Sequence, residues 1–123
     1  MVFGTLHTSS AAKTIDRVIN VFPSAEKAMV RSMLSESLAA VISQNLMKKV
    51  GGGRCAAHKI MLCTPAIRNL IRENKVAQMY SAIQTGGLLG MQSPDQCLKN
   101  LLEQSLITKE AAQEKAKIPA DFM

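Results

Sequence analysis

Two short stretches of the chain carry side chains suited to phosphate chemistry or to the recognition of a charged partner. The first is His7-Thr8-Ser9-Ser10, an imidazole followed by three hydroxyl groups. Both group types can donate hydrogen bonds to phosphate oxygens. A simple capping turn with an incidental histidine explains the same residues, because serine and threonine favour helix starts whether or not a ligand binds. The residue types alone leave both interpretations open.

The second stretch is 66–73, in which charged side chains recur at helical spacing. Arg68 and Arg72 are four residues apart, so on a helix their guanidinium groups share one stripe, with Asn69 and Glu73 beside it. Such a stripe is either a solvated face above a core or a surface held rigidly for a partner or for a carboxylate of the same chain. Again the pattern allows both.

The elements around the first stretch place it at a strand-to-helix turn. The apolar run 2–6, with Gly4 inside it, predicts a short buried strand, and Ser9 or Ser10 predicts the cap of a following helix. α/β proteins bind phosphate at turns of this kind. A buried parallel strand needs neighbours on both sides, so we expect the chain to begin in the middle of a domain.

The second stretch has its own helix start. Thr64 is suited to the N-cap and Pro65 to the first helical position, and apolar residues of the stretch then fall on one side of the helix. Further helix starts are predicted at Ser24, Ser93 and Thr108. Segments 41–50 and 54–63 flank a triple glycine and predict a β-hairpin, although 41–50 also fits a helix; residues 119–123 predict a frayed tail.

Composition limits the classes of function. The chain has 123 residues, 47% of them hydrophobic and 3% aromatic, which predicts one domain or part of one with an aliphatic, methionine-rich core. The net charge of +6 favours acidic partners. Its basic residues are scattered without aromatic interleaving, which disfavours nucleic acid, although a small basic nucleic-acid binder stays as a rival. There is no transmembrane-length apolar run or signal peptide, and three cysteines at unpatterned spacing fit reduced thiols in a cytoplasmic protein.

The sequence lacks the residue patterns that several kinds of chemistry require. No G-x-x-x-x-G-K-[ST] loop occurs in the chain. Cys55 and Cys63 would share one strand face with His58 on the other, so the prediction is no metal site, with the cysteines as apolar fillers. No Ser/His/Asp set or carboxylate pair stands out. Any phosphate chemistry would therefore need a larger site than this chain supplies.

A series of short motifs resembles one known family in order and approximate spacing. The segment Gly4-Thr5-Leu6-His7-Thr8 resembles the His box of the type IV pilus retraction ATPases, the PilT-like members of the secretion ATPase superfamily. The other matching motifs are Ser35-Glu36-Ser37-Leu38, Gly51-Gly52-Gly53-Arg54, Ala57-His58, Ala66-Ile67-Arg68-Asn69-Leu70-Ile71-Arg72-Glu73, Gln84-Thr85-Gly86-Gly87 and the closing segment 114–119.

The resemblance implies an α/β fold: the C-terminal fragment of a RecA-like P-loop ATPase domain, with a short strand and a β-hairpin followed by a mainly helical subdomain. The implied divisions are 1–63, the C-terminal part of the ATPase core; 64–118, the helical C-terminal subdomain; and 119–123, a tail. The parent would be a hexameric, cytoplasmic motor at the inner membrane base of the pilus, using ATP and Mg²⁺ and acting on an inner-membrane platform protein. It would lie peripheral to the membrane, bind no nucleic acid, and drive pilus retraction and twitching motility.

The resemblance also implies residue roles. His7, with Thr8, would sense the γ-phosphate of ATP, and residues 66–73 would be needed for retraction rather than for hydrolysis. The chain departs from the family pattern because Walker A, Asp-box and Walker B motifs are missing, so we expect this chain alone to bind no cofactor and to hydrolyse no ATP. A smaller departure is Lys59, where an acid is expected after Ala57-His58. The alternative is a non-catalytic protein-interaction module or a truncated remnant without nucleotide binding.

Overall fold

A two-stranded antiparallel hairpin surrounded by short helices makes up the chain. The computed structural model describes residues 1–122. Its architecture is α/β and mostly helical, as the sequence predicted. The elements in chain order are α1 (Ala11–Asn20), α2 (Lys27–Ser37), β1 (Ala40–Lys48), β2 (Arg54–Leu62), α3 (Pro65–Arg72), α4 (Met79–Thr85), α5 (Pro94–Glu103) and α6 (Lys109–Lys115), with 3-10 turns at Val76–Gln78, Gly87–Leu89 and Pro119–Phe122.

The predicted hairpin is confirmed, and 40–48 is a strand rather than a helix. Its register runs from Ala40 opposite Leu62 to Lys48 opposite Arg54. The connecting glycines 51–53 have φ angles of 84°, 110° and 77°, a left-handed region that other residues rarely adopt. The triple glycine is therefore part of the tight turn that joins β1 to β2.

The hairpin contributes to two separate apolar clusters. We call the first the α1–α3 core, and it contains Ala11, Ile15, Ile19, Met61, Cys63, Ile67, Ile71, Met79 and Met91. We call the second the α5–α6 core, and it contains Met47, Ala57, Cys97, Leu98, Ile107, Ala112 and Phe122. Both are largely aliphatic apart from Phe122, as the composition predicted, but methionine is frequent only in the α1–α3 core, with Met61, Met79 and Met91.

Side-chain caps begin four of the helices. Ser10, Thr64 and Thr108 each accept a hydrogen bond from a backbone N–H of the first helical turn. Ser93 forms a complete capping box with Gln96, whose side chain accepts from the Ser93 N–H at 2.8 Å. These starts agree with the sequence predictions.

Two local predictions are wrong. Residues 2–6 form no strand: Val2 and Phe3 are 93% and 92% exposed. A strand must pair its backbone groups with a neighbour, and the two strands within residues 1–122 pair with each other. Ser24 is not an N-cap, because Glu26 donates its N–H to the Pro23 carbonyl and α2 starts only at Lys27, without a side-chain cap.

The expected frayed tail is also wrong for the residues that the structure describes. Pro119–Phe122 forms a 3-10 turn, Phe122 is buried in the α5–α6 core, and Gln113 Nε2 donates to the Phe122 carbonyl at 3.0 Å. Just before this turn, the buried Asp95 carboxylate accepts the N–H groups of Lys117 and Ile118 at 2.8 and 3.0 Å. Residue 123 of the expected tail lies outside the described residues.

Candidate functional site

The His7 turn is ordered by its own hydroxyl groups. Thr14 Oγ1 donates to the Ser10 carbonyl at 2.9 Å, so the 2.6 Å hydrogen bond between Thr8 and Thr14 must use the Thr8 proton. Thr8 therefore serves the turn and has acceptor capacity alone to offer a ligand. His7 is exposed beside it.

An open groove of about 570 Å³ runs along α1 from this turn, lined by His7, Thr8, Ser9, Lys13, Asp16, Arg17, Asn20 and Val21. Two cations, Lys13 and Arg17, line it together with one acid, Asp16. The imidazole and these cations are donors that fit the oxygens of a terminal phosphate. The groove could supply one side of a larger phosphate site.

The helix of residues 66–73 has the predicted amphipathic arrangement. Ile67 and Ile71 are completely buried in the α1–α3 core. Leu70 is half-buried, whereas Ala66, predicted for the same stripe, is exposed.

Arg68 and Arg72, which the sequence placed on one stripe, have different surroundings. Arg68 is half-buried, and its Nη1 donates to the backbone carbonyls of Ser35 and Glu36 at 2.5 and 2.9 Å. These carbonyls belong to the last turn of α2, where backbone acceptors lack partners within the helix. A cation at this end also complements the helix dipole. Arg68 therefore fastens α3 to α2, through carbonyl groups rather than a carboxylate.

The remaining polar groups of the stretch face solvent. Arg72 Nη1 donates to Asn69 Oδ1 at 2.7 Å, and Glu73 forms a 3.2 Å salt bridge with Lys75 in which both side chains are more than half exposed. The presented surface thus consists of Asn69, Arg72 and Glu73, without Arg68.

The structure does not place the His7 turn against this presented surface, but it joins them through shared packing. α1 and α3 each pack against α2. Ile15 and Ile19 of α1 and Ile67 and Ile71 of α3 lie in the same core. α1 and α3 therefore share one closely packed core.

Lys59 holds the His7 turn from the hairpin side. Its Nζ donates to the Ser9 carbonyl at 2.5 Å, across fifty residues of sequence. Burial lowers the pKa of Lys59, neighbouring Lys13 and Lys117 lower it further, and Asp95 partly opposes them. The sequence singled out Lys59 only as a departure from a motif, because the bond to Ser9 depends on how α1 meets β2.

The cysteines and histidines do not gather into a metal centre within residues 1–122. Cys63 is buried, and burial raises the pKa of its thiol, an effect that the charge of Arg68 partly offsets. The His58 N–H donates to Cys97 Sγ at 3.4 Å, a partner that the spacing of Cys55, His58 and Cys63 gave no reason to expect. Within the same residues, no helix is long and apolar enough to span a membrane.

Comparison with known proteins places these features in a family context. No protein-family model matches the chain. The type IV pilus retraction ATPase PilT of Pseudomonas aeruginosa is 75% identical over 122 residues, which are 99% of this chain and 36% of that protein. A twitching motility protein of Neisseria gonorrhoeae is 60% identical over 118 residues, covering 95% of this chain and 32% of that protein. The chain thus spans about a third of the length of these relatives.

A solved structure gives the same result for the fold. The crystal structure of the pilus retraction motor PilT with bound ADP is 45% identical and superposes with a TM-score of 0.85, covering 98% of this chain and 34% of that one. By fold and motif order, the chain corresponds to a segment of a secretion ATPase domain. More particularly, it belongs with the PilT-like retraction ATPases and corresponds to part of such a protein.

Proposed function

We propose that the chain is the C-terminal portion of the ATP-driven motor that retracts type IV pili in twitching motility. The observation that carries this proposal is the 75% identity to a retraction ATPase across 99% of the chain. The agreement of the fold with the ADP-bound retraction motor supports it. In this proposal the parent is a cytoplasmic homo-hexamer at the inner membrane, acting on a pilus platform protein.

Within that motor, His7 contributes to sensing the γ-phosphate of ATP. Its support is the exposed imidazole at the N-terminal end of α1, in a groove shared with Lys13 and Arg17. In the motor, ATP with Mg²⁺ would supply the phosphoryl chemistry, for which this sequence carries no Walker A or Walker B motif. The chain's own contribution is to hold the donors of His7, Lys13 and Arg17 on the phosphate side. Thr8 is not one of these donors, because it donates its proton to Thr14.

The helix of residues 66–73 has the second role, coupling the ATPase core to retraction. Arg68 supports it from within, by fixing α3 to α2, and Asn69, Arg72 and Glu73 provide the exposed surface that meets the retraction partner or a neighbouring subunit. This division explains how a helix without a place in hydrolysis could still be needed for movement.

A chimera tests the proposal. Residues 1–122 replace the matching segment of Pseudomonas aeruginosa PilT in a strain without its own copy, and twitching zones are measured. We expect motility to be restored. A chimera that accumulates and hydrolyses ATP but leaves the strain non-motile would contradict the proposal.

Variants of the same chimera separate the two roles. His7→Ala should abolish ATP turnover and motility together. Arg72→Ala combined with Glu73→Ala should abolish motility while turnover persists, and Glu103→Ala, exposed on α5, serves as the matched control with both retained. The isolated 123-residue chain should release phosphate from ATP at the blank rate. Loss of turnover on changing Arg72 and Glu73 would contradict the coupling role.

A further inference from the structure

A second cleft lies on the hairpin side of α1. It has a volume of about 430 Å³ and lies between the N-terminal end of α1, β2, α4 and the segment after α6. Four lysines from separate parts of the chain line it: Lys13, Lys59, Lys115 and Lys117. Like charges converge on one cavity here, although they are distant in sequence.

These lysines have little acidic compensation. Among residues 1–122, Lys13, Lys59 and Lys117 form no salt bridge within 4 Å. The nearby Asp95 carboxylate offsets part of their charge at Lys59, although both of its oxygens already accept backbone N–H groups. Burial lowers the pKa of Lys59 most, and the charges of Lys13 and Lys117 lower it further. An anion in the cleft would relieve this repulsion.

The cleft also contains hydrogen-bond donors without acceptors. The Tyr80 hydroxyl is buried and forms no hydrogen bond of good geometry among residues 1–122; the nearby Ser93 side chain is a weak partner. Buried hydroxyl groups in folded proteins nearly always have a well-aligned partner, so this proton stays available to a stronger acceptor. Ala11 and Ala12, which also line the cleft, offer first-turn N–H groups that have no acceptor within the helix.

The opposite wall is apolar. Ile60, Val76 and Ile83 line it, and the Lys117 ammonium sits 3.7 Å from the centre of the Tyr80 ring. The cavity therefore combines a donor-rich cationic side with a wall suited to a small hydrophobic group.

We propose that this cleft binds a small molecule that carries a phosphate group on an apolar or aromatic body. A phosphate dianion accepts hydrogen bonds and donates none, which matches a lining of ammonium groups, a hydroxyl and free N–H groups. The phosphate lies between Lys13, Lys59 and Lys117 and accepts from Tyr80, while the body packs on the apolar wall. The cleft differs from the groove beside His7 because His7 does not line it, although Ser9 and Lys13 line both.

Calorimetric titration of the 123-residue chain with phenyl phosphate, at constant ionic strength, tests the proposal. We expect saturable binding at one site and backbone amide NMR shifts centred on Lys59, Tyr80 and Ala12. Inorganic phosphate should bind at least about tenfold more weakly, because it leaves the apolar wall in water. Absence of saturable phenyl phosphate binding would overturn the proposal.

Three variants make the result specific. Lys59→Glu should abolish binding, and the thermal unfolding of the ligand-free variant shows that it still folds after losing the bond to the Ser9 carbonyl. Lys48→Glu, an equal charge change at an exposed strand end, should leave binding unchanged. Tyr80→Phe should weaken binding about tenfold by removing one hydrogen bond to a charged acceptor. Equal weakening by Lys48→Glu and Lys59→Glu, or no effect of Tyr80→Phe, would overturn the assignment.

Discussion

Replacing Arg68 by alanine should destabilise the fold far more than the same change at Arg72. Arg68 Nη1 donates to the Ser35 and Glu36 carbonyls at the end of α2. A hydrogen bond from a charged donor contributes about 1.5–3 kcal/mol. Because the Glu36 carbonyl site is exposed, it should add little, and we expect a total loss of about 2–3 kcal/mol. At about 4–5 °C per kcal/mol for a domain of this size, the Tm should fall by about 8–15 °C.

Thermal unfolding followed by circular dichroism, with urea unfolding for the free energy, measures the effect. Arg72→Ala is the matched control, because an exposed side-chain pair within one helix contributes only about 0.2–0.5 kcal/mol. Arg68→Lys should give an intermediate loss, since an ammonium keeps the charge but not the planar fork. Equal losses for Arg68→Ala and Arg72→Ala would refute the assignment of Arg68 as the link between α3 and α2.

Three further outcomes are expected. Asp95→Asn should lower the free energy of unfolding by about 2–3 kcal/mol, because the amide can no longer accept both N–H groups of the segment after α6; urea unfolding measures it. Gly52→Ala should cost about 1–2 kcal/mol at its φ of 110°, as urea unfolding can also show. Lys59→Met should exceed the original chain in free energy of unfolding by a larger margin at neutral pH than at pH 10. The folded-state pKa of Lys59 is below 10.5, so its charge disfavours folding until rising pH removes that charge.

Each of these expectations has a contradicting result. An unchanged urea midpoint for Asp95→Asn would mean that the two N–H groups find other acceptors. Gly87→Ala is the control for the turn, because nothing lies within 4 Å of the added methyl group and its φ is not positive; equal effects at Gly52 and Gly87 would remove the argument from backbone conformation. A stability difference between Lys59→Met and the original chain that stays constant with pH would exclude the linkage to Lys59.

Local chemistry made much of the fold predictable. Thr64, Ser93 and Thr108 act as caps because the cap hydrogen bond lies within four residues of sequence. The triple glycine marked the hairpin because its positive φ angles suit glycine above other residues. Residues 2–6 failed as a strand because strand formation depends on neighbours, which their apolar composition does not supply.

The candidate site was less predictable because its contacts are distant in sequence. The spacing of Arg68 and Arg72 correctly predicted that they lie on one helix. Only the packing of α2 against this helix makes Arg68 half-buried and leaves Arg72 exposed. In the same way, the meeting of Lys59 with Lys13 and Lys117 needs three elements in place. Motif order indicated the family, whereas the partial burial of Arg68 and the exposure of Arg72 required the tertiary structure.

The two apolar cores imply that the chain need not open as one unit. The hairpin supplies Met61 to the α1–α3 core and Met47 and Ala57 to the α5–α6 core, so its strands are braced by both. Parts of a protein that share few buried contacts can unfold separately at lower free energy than the whole. Amide hydrogen exchange should therefore show two cooperative opening steps. The helices around one of the two cores should lose protection first, and the amides of β1 and β2 should exchange last. The hairpin would then stay folded while the helices around either core open locally.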